Sequence, residues 1–73
     1  MYEAREISGR EQVGRLFVGR PVSGQWADTH EIIGFHRTWS VFMQDEPDGY
    51  AIIGPPFQTK AAAVGYAIYR DQD

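Results

Sequence analysis

The sequence predicts an α+β fold: a small antiparallel sheet of about three strands with a C-terminal helix over 59–70 packed on one face. Three observations carry it. Trp39, Val41 and Met43 alternate with Thr38, Ser40, Phe42 and Gln44, the period-two pattern of a strand. Glu46-Pro47-Asp48-Gly49 then has turn chemistry, and Tyr50 to Gly54 returns antiparallel, so a hairpin spans 38–54. After Pro55-Pro56, which cannot donate to a strand ladder, Thr59 caps an alanine-rich, apolar-periodic run.

The remaining elements follow from the N-terminus. Met1 to Ile7 alternates weakly, as a short edge strand or a frayed arm does. Ser8 and Glu11 have capping-box spacing, and Val13, Leu16 and Phe17 follow at helical spacing. These predict a helix over 9–18, weakened by Gly14; the rival is an extended Gln12–Val18. Gly9-Arg10, Gly14-Arg15 and Gly19-Arg20 recur every five residues, and Gly24 continues the glycine series. On a helix that step is about 140°, which scatters the arginines instead of aligning them. Val22 to His30 has loop composition around Trp26, read as a core plug. Residues 31–36 read as a strand bulged at Gly34, with a short helix capped by Asp28 as the rival. In the final helix Ala61, Val64, Gly65 and Ile68 trace the face expected to meet the sheet. Asp71 and Asp73 carry the unfavourable sign for the helix C-terminus, which predicts fraying near Arg70.

At 73 residues the chain is a single domain, 1–73, whose folding buries only ~60% of the unfolded surface. With no cysteine, no disulfide or thiolate metal site supplements the core. Ten aromatics (two Trp, four Tyr, four Phe) are the core-building material, and homodimerisation is a second way to bury surface. Net charge is −3, which argues against generic polyanion binding. The charge is uneven: residues 1–25 hold four Arg against three Glu, and residues 26–73 hold three cations against seven acids. No apolar run reaches the ~18 residues of a membrane span, and no signal-like stretch opens the chain, so a cytoplasmic protein with no membrane partner is expected.

The chemistry-bearing residues are few. On one strand His30 and His36 would stand ~20 Å apart, too far to share a metal, so solvated histidines are expected and no metal. Ser8, Ser23 and Ser40 lie in no nucleophile motif, and no phosphate-binding glycine loop occurs. The acids Asp45, Glu46 and Asp48 read as a solvated turn. No cofactor is implied, and an enzyme is not expected.

The order strand, turn, strand, Phe57-Gln58-Thr59-Lys60-x-x-Ala63, helix resembles small bacterial and phage domains such as the arm-type DNA-binding domain of tyrosine integrases, over residues 31–70. That resemblance implies a three-stranded sheet on a C-terminal helix, with the exposed sheet face reading the major groove. The positions that would read bases, Thr38, Ser40, Phe42 and Gln44, hold no Arg or Lys. The functional expectation is therefore a small non-enzymatic protein-interaction module, of the accessory or inhibitor type carried by phages and plasmids. Its protein partner would meet Phe42, Tyr66 and Tyr69 with the acidic turn Asp45, Glu46 and Asp48. The alternative is DNA binding through the sheet face, Arg37, Lys60 and a basic N-terminal arm bearing Arg10, Arg15 and Arg20.

Overall fold

A computed structural model describes residues 1–72; the side chain of Glu46 and the whole of Asp73 lie outside the described residues. The chain forms five antiparallel strands and one helix: β1 (Ile7–Val13), β2 (Leu16–Gln25), β3 (Ile32–Phe35), β4 (Trp39–Glu46), β5 (Gly49–Phe57) and α1 (Lys60–Asp71). A 3-10 turn, Ala4–Glu6, precedes β1. The sheet order is β1-β2-β4-β5, and β3 also pairs with β2. The long strand β2 meets β4 from Leu16↔Met43 to Gly19↔Ser40 and then β3 from Val22↔Phe35 to Gln25↔Ile32. The strand expected at 31–36 is therefore β3, and the ladder shifts register on both sides of the Gly24↔Gly34 pair.

No helix forms over 9–18. Those residues are the β1–β2 hairpin, closed by Gly14-Arg15 between the paired Val13 and Leu16. Gly14 has φ 62° while Arg15 stays at negative φ, the pattern of a type II′ hairpin turn. The helical spacing of Val13 and Leu16 has a simple origin. A two-residue turn separates two paired strand residues by the same three positions that separate neighbours on a helix face. Both belong to one core cluster, whereas Phe17 points to the opposite face. Ser8 and Glu11 flank a register shift containing Gly9, and the acid-at-third-position contact occurs instead where Glu6 Oε1 accepts from the Glu3 N–H at 3.0 Å.

The hairpin over 38–54 forms as expected and is longer. Phe57 pairs with Trp39, so β5 passes through Pro55-Pro56 instead of stopping there. An edge strand tolerates residues without an N–H, and the ladder slips register between Trp39 and Val41 beside them. Gly49, the last residue of the turn tetrapeptide, is not at positive φ. It is buried because Met1 lies against it: a Cβ there would come 2.1 Å from the Met1 sulfur.

Both faces of the sheet are covered. On one, Val18 and Val41 pack with Ala63 and Ala67 of α1, bordered by Trp39, Ile53 and Phe57. On the other, Ile7, Phe42 and Tyr50 are buried with Tyr2 and Phe17 against them. Tyr2 meets Phe42 edge-on at 5.8 Å and Phe17 meets Tyr50 at 5.1 Å, the geometry aromatic quadrupoles favour. The N-terminal residues make this second layer. β1 lies at one edge of the sheet, yet Tyr2 exchanges two 2.8 Å backbone hydrogen bonds with Tyr50 on β5, at the other. The stretch before β1 thus crosses the sheet and ties its two edges. Of the sheet positions expected to be open and polar, Ser40 and Phe42 are buried, Thr38 is half-buried and Gln44 is exposed.

Candidate functional site

The helix begins where its cap predicts. Thr59 Oγ1 accepts from the Ala62 N–H at 3.2 Å. Its orientation differs from the expected one. Ala63 and Ala67 are the fully buried residues, with Val64 beside them, whereas Ala61 and Gly65 are exposed and Ile68 is 49% exposed. At about 100° per residue, Ala63 and Ala67 facing the sheet turn Ala61, Ala62, Gly65, Ile68 and Tyr69 to the outside. Tyr69 is 64% exposed, and a Cβ on Gly65 would meet no atom within 4 Å.

That outer face carries no charge. A helix lying on a sheet ordinarily turns its charged residues to water. Here the charged residues of α1 are bound within the molecule. Lys60 pairs with Glu11 at 3.0 Å and lies 5.8 Å from the Trp39 ring. Arg70 donates to the Tyr66 hydroxyl at 2.7 Å and stacks over its ring. Asp71 accepts from the Arg15 backbone N–H at 3.1 Å and from its Nε at 3.2 Å. Those bonds from Arg15, the backbone one first, hold the Asp71 carboxyl below its ordinary value of 3.8. The helix end expected to fray is thus clasped to the β1–β2 turn, where Gly14 leaves room for the carboxylate: a Cβ would come 2.2 Å from Asp71 Oδ2.

The other expected partner-binding residues separate. Phe42 is core. Tyr66 is half-buried, with its ring 5.2 Å from Phe57 and its hydroxyl against Gly54. Of the expected aromatics only Tyr69 is free at the surface. Asp45 and Asp48 are exposed at the β4–β5 turn, and the Glu46 side chain lies outside the described residues.

The arginines expected in a basic arm are spread over the folded β1–β2 hairpin. Arg10 stacks over Tyr50 at 5.1 Å and Phe17 at 5.6 Å and donates to the Tyr50 hydroxyl. Arg15 holds Asp71, and Arg20 donates to the His36 carbonyl at 2.7 Å. Arg37 is exposed between β3 and β4.

Two surface residues contradict their expected burial or went unmarked. Trp26, expected in the core, is 58% exposed at the β2–β3 connection, and Ile33 on β3 is 60% exposed. That connection is ordered by backbone bonds from Trp26 N–H to the Glu31 carbonyl and from His30 N–H to the Trp26 carbonyl. His30 there is left-handed, at φ 59°. A shallow cleft of about 300 Å³ gathers His36, Thr38 and Ser40 with Tyr2, Pro21, Ile52 and Pro56, and no carboxylate lines it. Among the described residues, no three metal-ligating side chains come together, and no helix is long and apolar enough to cross a membrane.

Comparison with protein-family models, curated proteins and solved structures finds no match for this chain.

Proposed function

We propose that this chain is a small non-enzymatic protein-interaction module that docks through the outer face of α1. One observation carries the reading: Ile68 and Tyr69 stand exposed on a helix face without charge, while Lys60 and Asp71 pair with β1 and the β1–β2 turn and Arg70 lies over Tyr66 on another side of the helix. Desolvating such a face removes no charge from water, so nearly all of its burial is favourable. An exposed aromatic such as Tyr69 is the kind of side chain enriched at the centre of interfaces.

The DNA-binding alternative gains less support. A sheet that reads a groove needs a bare face, and Ser40 and Phe42, which would line it, are buried. Arg10, Arg15 and Arg20 are already engaged with Tyr50, Asp71 and His36. The test is parallel affinity capture with the wild-type chain, Ile68→Glu and Trp26→Ser. A protein retained by wild type and Trp26→Ser but lost with Ile68→Glu supports α1. Loss only with Trp26→Ser moves the docking site to the β2–β3 connection and sinks this reading.

A further inference from the structure

We infer that the occupant of the outer face of α1 is a second copy of the same chain, its helix lying antiparallel across the first. This rests on α1 being the docking face, and it adds the partner's identity. Along α1 the exposed residues change from small to large: Ala61 and Ala62 before Gly65, Ile68 and Tyr69 after it. A two-fold axis passing between the two Gly65 residues sets Ile68 of one copy beside Ala61 of the other, and Tyr69 beside Ala62. Every large side chain then meets a small one, which is the self-complementarity an isologous interface requires.

Gly65 fits the same geometry. It sits in mid-helix with open space around it, so nothing in one copy requires glycine there. At the axis of a dimer, its missing side chain sets how closely the two helices approach. Electrostatics agrees. Two copies that each carry −3 repel through charged surfaces, and this face brings no formal charge into contact. Antiparallel helices also place opposite dipole ends together.

The contact is small. A helix of 12 residues is about 18 Å long and buries less than the roughly 800 Å² per partner of a standard interface. With so little buried surface to offset the cost of association, the dimer is weak and forms only at high protein concentration.

Sedimentation velocity on the full chain, from about 10 µM to about 1 mM, tests it. The wild type should pass from monomer to dimer across that range, and Ile68→Glu should stay monomeric. Gly65→Ala should raise the Tm and yet weaken association by about tenfold or more, because the added methyl suits the isolated helix and obstructs the crossing. Circular dichroism confirms that each variant is folded. A wild type that is monomeric throughout overturns the dimer, as does association that survives in both variants. If the wild type is monomeric but captures another protein in an Ile68-dependent way, the docking face stands and the second copy is ruled out as its occupant.

Discussion

Phe42 shows how far a residue's role depends on what lies across from it. On β4 it alternates with Val41, and the two are buried on opposite faces of the sheet. Its own sequence neighbourhood, Ser40 and Gln44, reads as a solvated face. The cover comes from Tyr2, forty positions away, which no local pattern announces. Phe42→Ala should cost about 3–5 kcal/mol by denaturant unfolding. That is a large share of the roughly 4–11 kcal/mol expected for 73 residues. Two glycines make opposite predictions. Gly14 has φ 62° and lies against Asp71, so Gly14→Ala should destabilise by about 1–2 kcal/mol or more. Gly65 is helical and open, so Gly65→Ala should stabilise by up to ~1 kcal/mol. The sequence marks both as glycine, and only the surroundings separate them.

At the scale of elements, the 38–54 hairpin and the capped helix were legible because their signals are local: alternation, a turn tetrapeptide and a threonine cap. The β1–β2 hairpin was not, because a Gly14-Arg15 turn between Val13 and Leu16 reproduces helical spacing. The rotation of α1 was hidden for a different reason. Ala61, Ala62, Ala63, Val64, Gly65, Ala67 and Ile68 make the helix apolar almost all round, so periodicity selects no face. Long-range partners select it: Lys60 reaches Glu11, Tyr66 covers Phe57, and Asp71 holds Arg15. The last contact predicts a pH response. Because the folded carboxyl lies below its ordinary value of 3.8, the clasp contributes fully above that value and is lost as pH falls through the lowered one. Asp71→Asn should lower stability at neutral pH and flatten the acid limb of a stability–pH profile. An unchanged acid limb would show that the clasp adds nothing.

For the whole molecule, the chain solves the problem of a thin core by covering both faces of one sheet, with α1 on one side and the N-terminal crossing on the other. The sequence carries the α+β class and the helix but shows about three strands instead of five, because the Val13–Leu16 spacing imitates a helix and the loop composition after Val22 hides the end of β2. The candidate site was legible only at Tyr69. The spacing of Ile68 and Gly65 points to the inner face, and only the seating of Ala63 and Ala67 on the sheet turns them outward. What remains at the surface is then informative: besides Met1, Met43 and Ile52, exposed apolar residues stand on α1 at Ile68 and Tyr69 and near the β2–β3 connection at Trp26 and Ile33. The account assigns binding to the first. The most direct measurement is a dilution series followed by amide ¹H–¹⁵N chemical shifts. Concentration-dependent shifts centred on Ala61, Ala62, Gly65, Ile68 and Tyr69 are the predicted result. Shifts centred on Trp26 and Ile33 would contradict the assignment to α1, and no shifts at all would rule out the second copy as its occupant.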